Sequence, residues 1–196
     1  MEDIDHTANI SPEQWTQLDR IKAKVVPGRS CGSCSLCCKV VRIPEVDNTA
    51  GTWCRHARPG KGCGIYDKRP FLCRSAYCEW MVTPGFGPEW KPEVAKFVIY
   101  QSQGGRRISI HVDPGAPDAW RRAPYYENIK RWATEAAWKM PDPQMVDDMI
   151  GEHRTVILPD GEIDIGVLAA DEQVRIGRNF LAGGVKIQVD KVKRAA

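Results

Sequence analysis

The chain has 196 residues, 42% of them hydrophobic and 27% charged, with a net charge of +3 at pH 7. That length suits one domain, or one domain with a small appended module, and the balance is enough to bury a core, which excludes a disordered or fibrous chain. A net charge of +3 is too mild to select a nucleic acid or a membrane surface by itself.

The acidic start, Met1 to His6, lacks the apolar run of a secretory signal, and no stretch approaches the roughly 18 apolar residues of a bilayer span. The expectation is a soluble, cytoplasmic protein. Ser11-Pro12-Glu13-Gln14 reads as a helix start, with Ser11 as cap, Pro12 in the first turn and Gln14 closing a capping box. Trp15, Leu18, Ile21 and Val25 recur at helical spacing, so the helix is predicted to reach about Lys24 before Pro27-Gly28 ends it. The seven tryptophans are expected to pack in the core and at junctions, because each carries a large apolar area.

All eight cysteines lie between Cys31 and Cys78, a stretch of 48 residues rich in Gly, Pro and Arg. Its apolar content is too thin for a core of its own, and a bound metal would supply the missing cohesion. One short helix is expected near Pro70, carrying Phe71, Leu72, Cys73 and Tyr77. Beyond Pro92 the pattern changes. Val94 to Ser102 and Arg107 to Val112 flank Gly104-Gly105 as a hairpin. In its second strand Ile108, Ile110 and Val112 form a buried face, and Arg107, Ser109 and His111 a wet one. Pro124 to Trp138 reads as a helix with Ile129, Trp132, Ala133, Ala136 and Ala137 along one side. A short helix is expected after Pro143, from Met145 to Ile150. Thr155 to Leu158 and Glu162 to Ile165 flank Pro159-Asp160-Gly161 as a second hairpin. Val185 to Val189 pairs with Val174 to Phe180 across Ala182-Gly183-Gly184, and the basic tail Lys191 to Arg194 is expected to be frayed. The fold class is therefore α+β, a loop-rich cysteine module with short helices on an antiparallel, hairpin-rich C-terminal part. Its boundaries are 1–28 for the N-terminal helix, 29–91 for the module and 92–196 for the hairpin region, packed together as one domain.

The cysteines run Cys31-x2-Cys34-x2-Cys37-Cys38, then Cys54, Cys63, Cys73 and Cys78. Two intervening residues let a tight turn aim two sulfurs at one ion, and Gly32 and Ser33 are small enough for that turn and can point their amides back at sulfur. Three cysteines at successive x2 spacing also match the grip of bacterial ferredoxins on a cluster. The side chains of adjacent Cys37 and Cys38 diverge in either a strand or a helix. They serve different sites, or one is a supporting or reactive thiol. Eight thiolates fill two zinc sites, or one iron–sulfur cluster and one zinc site, and spacing alone does not give the pairing. In a reducing compartment disulfides are disfavoured. From Arg29 to Trp80 nine basic residues stand against four acidic ones, a net +5 that suits anionic metal–thiolate centres. His56 is a candidate ninth ligand or hydrogen-bond partner, with a solvated loop position favoured. His6, His111 and His153 stand apart and suggest no role.

The run Cys31-Gly32-Ser33-Cys34-Ser35-Leu36-Cys37-Cys38, with Cys63-Gly64-Ile65-Tyr66-Asp67-Lys68-Arg69-Pro70-Phe71-Leu72-Cys73-Arg74 downstream, resembles the YkgJ-like cysteine-cluster (CxxCxxCC) family of zinc- or iron-chelating domains. Trp53-Cys54 is similar to that family's middle cysteine. The resemblance covers about Cys31 to Cys78, a quarter of the chain, and implies metal chelation by zinc or iron, an iron–sulfur cluster included. It extends to the cysteine cluster of flagellin lysine N-methylases, which implies an enzyme reading.

The leading expectation is a metal-binding protein with ligands Cys31, Cys34, Cys37, Cys38, Cys54, Cys63, Cys73 and Cys78. Its metal is structural or redox-active, and its C-terminal part recognises a protein partner. One alternative is a cluster-dependent protein-lysine N-methylase-like enzyme, against which stands the lack of a glycine-rich turn to cradle S-adenosylmethionine. Others are a zinc-module nucleic-acid binder, against which aromatics are not interleaved with the basic residues, and metal storage or delivery. No catalytic residue is named.

Overall fold

The computed structural model describes residues 4–181 and 184–194. Helix α1 spans Pro12–Lys22, and Ser11 and Gln14 form the expected reciprocal capping box. Its apolar stripe is not a core face, since only Leu18 is buried and Trp15 stays 39% exposed with the Arg74 guanidinium 5.3 Å from its ring. Three of the seven tryptophans, Trp15, Trp53 and Trp138, are exposed rather than packed inside.

The cysteine stretch is a chain of short pieces: α2 (Cys37–Val40), the ribbon β1 (Ala57–Arg58) with β2 (Gly62–Cys63), α3 (Phe71–Ser75) and α4 (Glu79–Val82). The helix expected after Pro70 forms as α3, with Tyr77 beyond its end. Arg29 fastens the far end of this stretch. Its guanidinium donates to the carbonyls of Trp80, Thr83, Pro84 and Phe86, four acceptors that no regular structure satisfies.

Helix α5 (Pro92–Ala95) leads into β3 (Phe97–Ser102), which pairs antiparallel with β4 (Arg107–Val112) as the hairpin expectation required. The strand starts later than expected because Pro92 opens a helical turn and Lys96 turns the chain at φ +64°. Helix α6 (Tyr125–Ala137) returns the chain to β5 (Met145–Ile150), which lies parallel to β4. The expected helix over Met145 to Ile150 is thus a strand, and the sheet is mixed rather than purely antiparallel. Its two adjacent aspartates disguise it, for Asp147 is fully buried and neutralised by arginines from both neighbouring strands. Strands β6 (His153–Ile157) and β7 (Glu162–Val167) complete the order β3-β4-β5-β6-β7. A separate antiparallel ribbon follows, β8 (Glu172–Leu181) with β9 (Gly184–Lys193). The expected pairing of Val174–Phe180 with Val185–Val189 forms, while Ala182 and Gly183 of its turn lie outside the described residues. The basic tail is not frayed through Arg194. Lys191 and Lys193 belong to β9, and Arg194 bonds to Asp171 and Glu172.

Both faces of the five-stranded sheet are covered. On one face Phe97, Ile99, Ile110, Val112, Val146 and Ile157 pack against Ile129, Ala133 and Ala136 of α6 with Trp90, Trp120 and Tyr125. On the other, Val98 meets Leu36 and Val40 of the cysteine stretch, while Met145, Val156 and Leu158 meet apolar residues of the β8–β9 ribbon. Burying each such side chain contributes about 1.5–3 kcal/mol. The face expected to be wet is therefore internal. Between its two covers runs a polar row in which Arg107 and Arg154 flank Asp147 and Ser109 donates to it at 2.8 Å. The protein is an α+β fold, and among the described residues no helix is long and apolar enough to cross a membrane.

Candidate metal centre

All eight cysteines are free thiols of intermediate exposure, so none of them is disulfide-bonded. Local chain chemistry brings them together. Gly32 at φ +52° turns the chain so that the Cys34 amide bonds to the Cys31 carbonyl at 2.8 Å. The Cys54 amide bonds to the Cys38 carbonyl at 2.8 Å, which lays the middle cysteine against the double cysteine. The β1–β2 ribbon then returns Cys63 to the same place, and Gly62 rides so close to Gly32 that a Cβ there would stand 2.8 Å from the Gly32 carbonyl oxygen. Arg69 fixes the final approach, its Nε bonded to the Tyr66 carbonyl at 2.8 Å and its guanidinium stacked 3.6 Å from the Tyr66 ring.

Two adjoining cavities open within this assembly, of about 60 and about 30 Å3. The larger is lined by Cys31, Cys34, Cys37, Cys38, Cys54, Cys63 and Cys73. The smaller is lined by Cys31, Cys34, Cys37 and Cys78. Every cysteine named from the sequence thus reaches one or both cavities. His56 lies on the wall of the larger one, and the Arg55 guanidinium donates to its Nε2 at 3.2 Å. Tyr100 of β3 lines both cavities. Among the described residues no group of three or more His, Cys, Asp or Glu side chains stands drawn together closely enough to hold a metal ion.

The thiols divide by electrostatic setting. Burial pushes Cys73 and Cys78 up to about 12 and also raises Cys31, Cys34 and Cys63. Cys37 and Cys38 behave as one pair. The Cys37 thiol donates to Cys38, which raises Cys37 and, with Arg69 assisting against burial, lowers Cys38 to about 7. Backbone amides already aim at several sulfurs, Leu36 and Glu93 at Cys34, Ile65 at Cys63 and Met81 at Cys78. The sequence had pointed to Gly32 and Ser33 for that role. Such amides favour the thiolate over the thiol, as a metal–sulfur site requires. The donor set, soft thiols with oriented amides and nearby cations, fits zinc or iron.

Two features escaped the sequence reading. Tyr100 contacts the cysteines through its place in β3, and only the strand register reveals it. His111, which suggested no role, joins the internal polar row. Its ring packs on Tyr100 at 5.6 Å, its Nδ1 has no partner, and burial pulls it down to about 4. Beside it a third cavity of about 400 Å3 opens where the cysteine stretch, the sheet and the β8–β9 ribbon meet, lined among others by Arg42, His111, Arg154 and Arg194. The chain matches no family model, no curated protein and no solved structure.

Proposed function

We propose that this chain is a metal-binding protein that takes zinc or iron through its eight cysteines, with the metal structural or redox-active. One observation carries the reading: eight free thiols from six separate turns and short helices converge on two adjoining cavities, although the stretch holding them has little core. Its apolar packing amounts to two small clusters, around Leu36, Val40 and Val98 and around Ile43, Val46 and Ile65. A bound ion would replace the thiol protons and draw the sulfurs inward, so binding free energy becomes folding free energy. The resemblance of the double-cysteine run and the Arg69-Pro70 run to the YkgJ-like cysteine cluster supports the same reading. A cytoplasmic, reducing setting would keep these thiols available.

An enzyme reading, with chemistry related to lysine N-methylases, draws support from the third cavity, whose arginines and unpartnered His111 nitrogen suit an anionic small molecule. A protein partner for the C-terminal part remains a proposal of the sequence. A nucleic-acid role is disfavoured because cations that made the segment basic are engaged inside the chain: Lys39 with Asp113 at 2.6 Å, Arg69 on Tyr66 and Arg74 on Trp15.

Anaerobic purification without chelator, followed by elemental analysis and a visible spectrum, tests the reading. The expected result is bound zinc or iron that a strong chelator removes together with cooperative unfolding. A metal-free protein whose melt is unchanged by chelator would reject it. A coloured, iron- and sulfide-containing protein would select the redox form, and a colourless zinc protein the structural form.

A further inference from the structure

Resting on the metal-binding reading above, we infer that the cysteines form two separate four-thiolate centres, each for a single thiophilic divalent ion of the zinc class. Cys31, Cys34, Cys37 and Cys78 make one, and Cys38, Cys54, Cys63 and Cys73 make the other.

The argument begins with Cys78. It lines only the smaller cavity, and the cysteines that share that cavity with it are Cys31, Cys34 and Cys37. A four-coordinate site containing Cys78 therefore has one composition. Cys38, Cys54, Cys63 and Cys73 line only the larger cavity, and they are the four that remain. Cys31, Cys34 and Cys37 reach both spaces because they form the partition between them.

Packing gives the same division independently. Cys34, Cys37 and Cys78 rest on the apolar cluster of Leu36, Val40 and Val98, whereas Cys54, Cys63 and Cys73 rest on Ile43, Val46 and Ile65. The main-chain bond from Cys54 to Cys38 adds Cys38 to the second group, and the bond from Cys34 to Cys31 adds Cys31 to the first. Adjacent Cys37 and Cys38 open helix α2, where successive side chains point about 100° apart, so each faces its own centre. The electrostatic neighbours agree. Cys78 feels Cys31 and Cys34, whereas Cys73 feels Cys38, Cys54 and Cys63.

Space and charge select the ligand. Cavities of about 60 and about 30 Å3, against about 30 Å3 per water in the liquid, suit lone ions better than a four-iron cluster with its sulfides. Four thiolates around a divalent ion carry a net charge of about −2. Arg69 stands beside the Cys38 group, while the first group has Lys91 near Cys34 and the amides of Leu36, Glu93 and Met81. Each centre has its own compensation.

The test loads the full chain with cadmium-113 under reducing, anaerobic conditions and records proton–cadmium correlations to the cysteine β-protons. Two ions per chain are expected, one correlated with Cys31, Cys34, Cys37 and Cys78, the other with Cys38, Cys54, Cys63 and Cys73. Cys78→Ser should remove the first signal and halve the cadmium bound, and Cys73→Ser should do the same to the second. A single signal, more than two ions, or one ion correlated with thiols of both groups would overturn the division while leaving metal binding intact. No stoichiometric cadmium at all would overturn both. The correlations on the unsubstituted chain decide the matter if either variant fails to fold.

Discussion

Gly60 and Gly62 provide a matched pair for testing how the cysteine loops are held together. Both have positive φ, +73° and +92°, but a Cβ at Gly60 would meet nothing within 4 Å, while one at Gly62 would stand 2.8 Å from the Gly32 carbonyl oxygen. Gly60 follows Pro59 in the turn closed by the bond from the Lys61 amide to the Arg58 carbonyl, the residue order of a type II turn. Gly60→Ala therefore carries only backbone strain, about 1–2 kcal/mol. Gly62→Ala carries comparable or greater strain, because +92° lies outside the left-handed well. It also requires the ribbon and the Cys31–Cys34 turn to separate by about 0.6 Å to reach ordinary contact near 3.4 Å. Overpacking of that kind adds about 1–3 kcal/mol. Urea unfolding at a fixed free zinc concentration should show Gly62→Ala less stable than Gly60→Ala by about 1–3 kcal/mol. Equal losses in the two variants would refute the close approach of the Cys63 ribbon to the Cys31 turn.

The internal polar row and the buried acids give further tests. Asp147→Asn leaves Arg107 and Arg154 buried without their shared counter-charge, a loss of about 3–5 kcal/mol in denaturant unfolding; a loss under about 1 kcal/mol would show that the arginines find other partners. Asp148, raised by burial to about 6, holds its proton more tightly folded than unfolded, so it makes stability fall as pH rises from about 4 to 6. His111, lowered by burial to about 4, has the opposite effect, making stability rise between about 4 and 6.5. The two slopes offset each other in the native chain. Asp148→Asn should therefore gain stability over the native chain progressively from pH 4 to 6, on the order of 2 kcal/mol at the top of the window. A constant difference between the two pH profiles would contradict the assignment.

Local signals were legible where one chemistry acts alone. The Ser11–Gln14 capping box, the glycine turn between β3 and β4 and the apolar side of α6 are all where their residues indicate. Strand β5 was not, because Asp147 and Asp148 look like helix or loop residues until Arg107 and Arg154 are seen on the flanking strands. The same long-range pairing turned the supposedly wet side of β4 inward. The cysteines announced themselves by spacing and by the divergence of Cys37 from Cys38, but their grouping depended on where Cys54, Cys63, Cys73 and Cys78 return, which is tertiary information. Tyr100 and the third cavity had no sequence signal, since they arise only where the cysteine stretch, the sheet and the β8–β9 ribbon meet.

Native mass spectrometry of the anaerobically purified chain addresses metal binding most directly, because it reads the number and identity of bound ions on one intact molecule. The account predicts the 22.0 kDa chain carrying the added mass of two ions, lost together with eight thiol protons regained on acid unfolding. A folded chain at its bare mass, unchanged by acid except in charge state, would contradict it.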